Sequence, residues 1–315
     1  MDPLTHLLGG LHAEVAFTLR AQFDPPWGID VRDEAALTLI AVLSGSARLR
    51  HDGADELLRT GDLALVQGAQ PYVVSDAAGS SPTVRILPDN RCVDLAGHPV
   101  TESMSHGLRT WGNAGSGEDA LLIGVYQSIG EVGRLLTRAL PVAFVVREEQ
   151  HVSDVVALME REIAWDAPGQ LSLLDRLLDV VLVGAVRSYA VRATGSPISY
   201  LTTRDALVAA ALELMHGRLA HPWTLESLAR AAGGSRATLN RRFRAEIGQA
   251  PMSHLAGLRL ATAADLLRNP EVTIASAAHE VGYATPFALS TAFKRHFGRS
   301  PRDYRADVAA SEVAL

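Results

Sequence analysis

The chain has 315 residues, too many for one ordinary domain and enough for two with a buried core each. Hydrophobic residues make up 48% of it and charged ones 20%, which excludes a disordered chain. The net charge of −6 argues against a nucleic-acid partner until its distribution is seen. Residues 204–315 hold 14 Lys and Arg against 10 Asp and Glu, whereas residues 1–203 hold 15 against 25.

A single cysteine, Cys92, excludes an intramolecular disulfide and fits a reducing cytoplasm. The N-terminus lacks the basic start and apolar stretch of a secretion signal. The richest apolar run, residues 171–186, is interrupted by Asp175, Arg176 and Asp179, so no membrane span is expected. These features predict a soluble cytoplasmic protein.

From residue 13 to 126 the sequence predicts short strands at 13–20, 37–43, 47–51, 63–67, 72–75, 84–87 and 121–126. Turn formers such as Asp24-Pro25-Pro26, Asp52-Gly53 and Gly61-Asp62 separate them. Many short strands at this spacing predict a sandwich or small barrel, with Asp52-Gly53 suited to a tight hairpin turn. Helical periodicity takes over near residue 130: a short helix at 131–139, then amphipathic helices at 152–165 and 172–191. In the last of these, Leu173, Leu174, Leu177, Leu178, Val181 and Leu182 form one apolar stripe, suited to packing within its own domain or to a dimer seam. Residues 192–203, rich in Gly, Pro, Ser and Thr, read as a linker.

Everything from Arg204 onward reads as helix. Thr224 is placed to cap a helix over 225–232, with Glu226 in its first turn, and Gly233-Gly234 end it. Ser235 then caps a second helix from Arg236 to Ala245. Leu225, Leu228 and Ala229 would meet Leu239 and Phe243, leaving Arg236, Ala237, Thr238, Asn240, Arg241 and Arg244 outward. Such a small, polar and basic face suits a helix that enters the major groove. The pattern recurs about 50 residues later, with a helix at 274–281 and, capped by Thr285, a second from Pro286 to Phe297. Here Leu289, Phe293 and Phe297 face inward and Phe287, Ser290, Thr291, Lys294 and Arg295 stay outside or on the flanks. A single helix at 252–267 lies between the two units, about 24 Å long, a spacer able to set two recognition helices in successive major grooves.

Residues 205–305 resemble the DNA-binding domain of the AraC/XylS family of transcription regulators. The resemblance rests on Val281 to Arg305, VGYATPFALSTAFKRHFGRSPRDYR, and on Leu228-Ala229, Ser235, Leu239, Arg241, Phe243, Gly248 and Pro251 of the first unit. It implies sequence-specific binding to double-stranded promoter DNA, usually with activation and hence contact with RNA polymerase. Position 291 is often arginine in that family and position 288 often aromatic, whereas this chain has Thr291 and Ala288. The second unit is therefore expected to rely more on phosphates. Arg241, with Asn240, Thr238 and Arg236 beside it, is the first expectation for base reading, and phosphate positioning is the alternative for Arg241 and Arg295.

Residues 61–72, GDLALVQGAQPY, resemble the second motif of the cupin barrel, a common sensory domain in that family. Tyr72 stands where the motif's last histidine would be, and residues 37–43, LTLIAVL, contain none, so no cupin metal site and no cofactor are expected. Cys92, His98 and His106 match no standard zinc spacing, and no nucleophile motif or phosphate-cradling loop appears. Trp27, Tyr72 and Trp111 are candidates to line an effector pocket, with plain core as the alternative.

The fold expected is α+β: a cupin-like β-barrel of the double-stranded β-helix type, followed by an all-α domain with two tandem helix-turn-helix units. The expected domains are 1–145 as the effector-binding barrel, 146–191 as a helical dimerisation segment, 192–203 as linker and 204–307 as the DNA-binding domain. The function expected is a ligand-responsive, homodimeric transcription regulator and not an enzyme. The rivals are a cupin-type small-molecule enzyme with an appended helical domain and a helical adaptor that binds protein.

Overall fold

The computed structural model describes residues 3–8, 16–68, 70–192, 203 and 205–313; of the expected linker, residues 193–202 lie outside these. Its strands are β1 (Ala16–Phe23), β2 (Gly28–Val31), β3 (Leu37–Ser44), β4 (Ser46–His51), β5 (Ala54–Arg59), β6 (Leu63–Gln67), β7 (Tyr72–Ser75), β8 (Val84–Leu87), β9 (Arg91–Asp94), β10 (Ser105–Gly107), β11 (Thr110–Gly112), β12 (Asp119–Tyr126) and β13 (Ala143–Val146). The helices are α1 (Pro3–Leu8), α2 (Glu131–Thr137), α3 (Gln150–Ile163), α4 (Gln170–Arg192), α5 (Ala206–Gly217), α6 (Leu225–Ala231), α7 (Arg236–Ile247), α8 (Pro251–Leu266), α9 (Ile274–Glu280), α10 (Pro286–Phe297) and α11 (Pro301–Val313). This is the expected α+β class, with helices α3 to α11 following the last strand.

Contacts divide the chain into two units. One comprises Ala13–Ile129 and Pro141–Arg192, the other Met1–His12, Gly130–Leu140 and Ala193–Leu315. Helices α3 and α4 therefore share a unit with the strands. The short helix α2, although it lies between β12 and β13 in sequence, packs with the C-terminal helices.

In the first unit a seven-stranded sheet, β10-β11-β1-β12-β3-β6-β13, faces a six-stranded one, β5-β4-β7-β2-β8-β9. Alternate residues of both sheets meet in one core that includes Ala21, Phe23, Ile29, Val31, Ile40, Val42, Val66, Tyr72 and Leu121. The first six residues of β3 are all buried, because the larger sheet also has α3 and α4 on its outer side. A strand covered on both faces reads as a continuous apolar run, as LTLIAVL does. The Asp52-Gly53 turn joins β4 to β5 with both residues at positive φ, 43° and 76°, the backbone a two-residue hairpin of this twist requires. The apolar stripe of α4 divides. Leu174, Leu178, Val181 and Leu182 are buried within the unit, while Leu173 and Val180 stay exposed on the neighbouring face.

The helical unit has two cores. The first gathers Val208, Leu212, Met215, Leu228, Leu239, Phe243 and Leu255; the second gathers Leu260, Ala264, Leu267, Ala277, Val281, Leu289, Phe293 and Tyr304. Helix α8 supplies both, Leu255 at its start and Leu260 to Leu267 at its end. Two further contacts brace the cores. Arg259 of α8 donates to the carbonyls of Leu219 (3.0 Å) and His221 (2.6 Å), and Gly282, at φ +80°, lies against the backbone of Ala220. A side chain there would need a disfavoured backbone conformation and would overlap that backbone.

Asp265, near the end of α8, caps α2: its carboxylate accepts the backbone N–H groups of Glu131 (2.5 Å) and Val132 (2.9 Å). Burial pushes its pKa up to about 6; the two N–H groups oppose the rise and the nearby Glu131 adds to it.

Two stability predictions follow from these contacts. Gly282→Ala is expected to destabilise the helical unit by about 1–3 kcal/mol from backbone strain alone, read as a lower midpoint in thermal unfolding. Asp265 holds its proton more tightly folded than unfolded, where the ordinary value is 3.8. The stability it contributes is thus full below about pH 4 and lost as the pH rises through about 6. The stability of Asp265→Asn, relative to the native chain, should therefore improve between pH 4.5 and 7.5, by on the order of 2 kcal/mol. Parallel curves across that range would contradict the assignment.

Candidate nucleic-acid interface

Four short helices form two helix-turn-helix units, and each begins where a hydroxyl can cap it. Thr224 accepts the Ser227 N–H (3.0 Å) at the head of α6, and Thr273 accepts the Ser276 N–H (3.0 Å) at the head of α9. Ser235 accepts the Thr238 N–H (3.2 Å) at the head of α7, and Thr285 accepts the Ala288 N–H (3.1 Å) at the head of α10. Three of these caps are legible as expected; Thr273 is the additional one, and its Thr-x-x-Ser spacing repeats that of Thr224 to Ser227. Inward, Leu228 and Ala229 pack with Leu239 and Phe243, as Ala277 and Ala278 pack with Leu289 and Phe293.

With those residues inside, the other faces of α7 and α10 are fixed. Arg236, Ala237, Arg241 and Arg244 are exposed on α7, with Thr238 and Asn240 half-buried between them. On α10, Phe287, Thr291, Lys294 and Arg295 are exposed and Ser290 is half-buried. Arg236, Arg241 and Arg244 have no ion-pair partner among the described residues. By contrast Arg242 is tied to Asp205 (3.2 Å), Arg230 to Glu226 (2.8 Å) and Arg299 to Asp307 (2.5 Å). Arg305 donates to the carbonyls of Leu267 and Val272 and so closes the end of α8. The basic clusters of the sequence thus split into arginines that hold the domain together and arginines that face outward.

Between the two sheets of the other unit lies a narrow cavity of about 70 Å³. Its walls are apolar, formed by Leu19, Ile40, Val74, Ile123 and their neighbours, and its polar lining is Asp33, Thr38, Tyr72 and Asn90. Tyr72 and Trp111 line it. Trp27 does not: it stacks on Phe23 (4.4 Å between rings) and donates from Nε1 to Asp119 (2.8 Å). Burial raises the pKa of both Asp33 and Tyr72, with the Asp33 charge adding to the effect on the phenol. The indole Nε1 of Trp111 is buried with no hydrogen-bond partner among the described residues.

Asp62 of the Gly-Asp turn accepts the Arg59 N–H (2.9 Å) and pairs with Arg147 (2.7 Å), a structural use of that motif. Cys92, His98 and His106 do not come together. His98 bonds Asp94, His106 bonds the Gly112 carbonyl, and burial raises the Cys92 thiol pKa. Among the described residues no three His, Cys, Asp or Glu side chains gather as a metal ion would require.

Comparison with known proteins agrees with both halves. A family model described as cupin matches residues 2–191, and one described as a helix-turn-helix domain matches residues 228–307. A putative AraC-like transcription regulator of Streptomyces lividans is 32% identical over 313 residues, covering 97% of this chain and 98% of the relative. A second, from Streptomyces antibioticus, is 30% identical over 313 residues with the same coverage, 97% and 98%. The HTH-type transcriptional regulator AlkR of Acinetobacter baylyi is 27% identical over 323 residues, covering 97% and 99%. With a cupin domain before its two helix-turn-helix units, the chain belongs to the AraC-like transcription regulators.

Proposed function

We propose that this DNA-binding regulator reads an asymmetric operator by placing α7 and α10 in successive major grooves on one face of the duplex. The observation that carries this is the repeated unit: two capped helices with inward Leu and Phe and outward polar faces, mounted on the shared helix α8. At about 1.5 Å per residue its 16 residues span about 24 Å, commensurate with grooves roughly 34 Å apart once the recognition helices are added. Arg241 and Asn240 on α7 reach base edges, guanine for the arginine and adenine for the asparagine, while Arg236, Arg244, Lys294 and Arg295 serve phosphates.

The chain acts in the cytoplasm as a homodimer that activates transcription with RNA polymerase. No described helix is long and apolar enough to cross a membrane. The exposed Leu173 and Val180 of α4 supply an apolar edge for the dimer seam. The sheet cavity takes a small, mostly apolar effector with at least one hydrogen-bond acceptor for the Trp111 indole. Its binding shifts the population of head arrangements able to engage DNA.

Selection of binding sites from random duplex DNA by the full-length chain tests the reading. Two short blocks about one helical turn apart are expected, and Arg241→Ala should relax one base position by about 1–3 kcal/mol of discrimination. A uniform loss across sequences would reassign Arg241 to a phosphate. For the cavity, a panel of small aromatic and aliphatic ketones, esters and alcohols is screened by thermal shift. A member that stabilises the native chain should bind Trp111→Phe about tenfold more weakly, the value of one hydrogen bond to a buried donor. Equal stabilisation of both proteins would place the ligand elsewhere.

A further inference from the structure

The two recognition helices align residue for residue at an offset of 50: Leu239 with Leu289, Phe243 with Phe293, Gly248 with Gly298 and Pro251 with Pro301. This register pairs the outward positions, Ala237 with Phe287, Asn240 with Ser290, Arg241 with Thr291, and Arg244 with Lys294. The fold is the same and the chemistry is not. At three equivalent places α7 carries a methyl, an amide and a guanidinium, and α10 carries a phenyl ring and two hydroxyls. Ser290 is further occupied, because its hydroxyl donates to the Pro286 carbonyl within the helix (2.9 Å).

Phe287 is 81% exposed, the most exposed of the large apolar side chains among the described residues. The second core does not use it; Leu289 and Phe293 fill that space and are fully buried. It occupies the second position of α10, just after Pro286, at the end of the helix that meets base edges in a helix-turn-helix unit. Thr291 lies one turn on, and Lys294 nearly two turns on, along the same face. Apart from the Lys294 ammonium, which can donate to guanine or to a phosphate, this face presents an apolar ring and a threonine methyl, with no guanidinium fork and no amide for adenine. In the major groove the one apolar group on a base edge is the C5-methyl of thymine.

We propose that the second unit reads thymine methyl groups, with the Phe287 ring packed on them and the Thr291 methyl beside it. This rests on the reading of α7 and α10 as the two DNA-reading helices and adds what the second one recognises. The operator then has two chemically different blocks. The α7 block is read through hydrogen bonds from Arg241 and Asn240, where Ala237 is small enough to leave them room. The α10 block is read through apolar contact and is T-rich on the strand that Phe287 faces. Thr291 is therefore a component of a different recognition surface, and the second unit is more than a phosphate clamp.

The test replaces each thymine of the second block by deoxyuridine, which removes the methyl and keeps every hydrogen bond. Selected operator duplexes and the purified full-length chain are used. One or two positions should bind roughly fourfold more weakly as uridine, the effect of returning one methyl-sized group to water. Phe287→Ala should bind thymine and uridine duplexes equally, and Phe287→Leu, still apolar, should keep part of the preference. Both variants alter an exposed position, and an unchanged thermal midpoint confirms that they fold.

If the native chain binds thymine and uridine alike throughout the second block, or if Phe287→Ala keeps the preference, the proposal is overturned while sequence-specific binding stands. If Phe287→Ala binds the operator as tightly as the native chain yet fails to support transcription by purified polymerase, the ring serves a protein partner and the proposal is overturned. If the native chain shows no sequence preference at all, the reading of the two helices falls and this proposal falls with it.

Discussion

Helix α8 is the constraint on which the helical unit depends. Neither helix-turn-helix unit has enough residues to bury a satisfactory core alone, and small units of this size are marginal unless something is shared. Here the shared element is one helix, Leu255 closing the first core and Leu260 to Leu267 closing the second. Arg259, reaching back to the α5–α6 loop, and Gly282, laid against Ala220, stitch the two cores directly. Helices α7 and α10 are thus mounted on one frame, with their spacing set by packing on α8.

The same economy governs charge. The excess of arginine in the last third of the sequence suggests an electropositive surface, yet a good part of it is spent internally. Arg242, Arg230 and Arg299 are paired with carboxylates, and Arg259 and Arg305 satisfy carbonyls at helix ends. Carbonyls left at a helix terminus need donors, and a guanidinium supplies several in a fixed plane. What remains outward includes Arg236, Arg241 and Arg244 on α7 and Lys294 and Arg295 on α10, a distribution that net charge alone conceals.

Much of the helical unit was legible because its signals are local. A hydroxyl three residues before a free N–H, a glycine at a turn, and Leu and Phe spaced by four each act within a few residues, and the structure uses them as the sequence suggests. The sheets were legible in part. Strands with a long apolar run, such as β3, are visible, whereas β2 with Asp30 inside it, β9 with its charged ends and β13, which begins two residues after Pro141, carry too little periodicity to register. Long-range partnership was not legible at all. Nothing local shows that residues 130–140 pack with the C-terminal helices, because that follows from Asp265, more than 130 positions away, offering a carboxylate to two free N–H groups. Aromatic identity likewise nominated Trp27, Tyr72 and Trp111 together. Their places differ: Tyr72 on β7 and Trp111 on β11 line the cavity, whereas Trp27, just before β2, lies in the same core, stacks on Phe23 and bonds Asp119.

In the sheet unit the glycine-aspartate turn before β6 has a structural use, Asp62 accepting the Arg59 N–H and pairing with Arg147. The residues that face the interior include Ile40, Val42, Val74 and Tyr72. An unpartnered buried donor such as the Trp111 indole costs stability when nothing accepts from it. In a cavity whose polar lining is otherwise Asp33, Thr38, Tyr72 and Asn90, a ligand that accepts from the indole removes that cost on binding, and it shifts the conformation only as far as it binds one state better than the other.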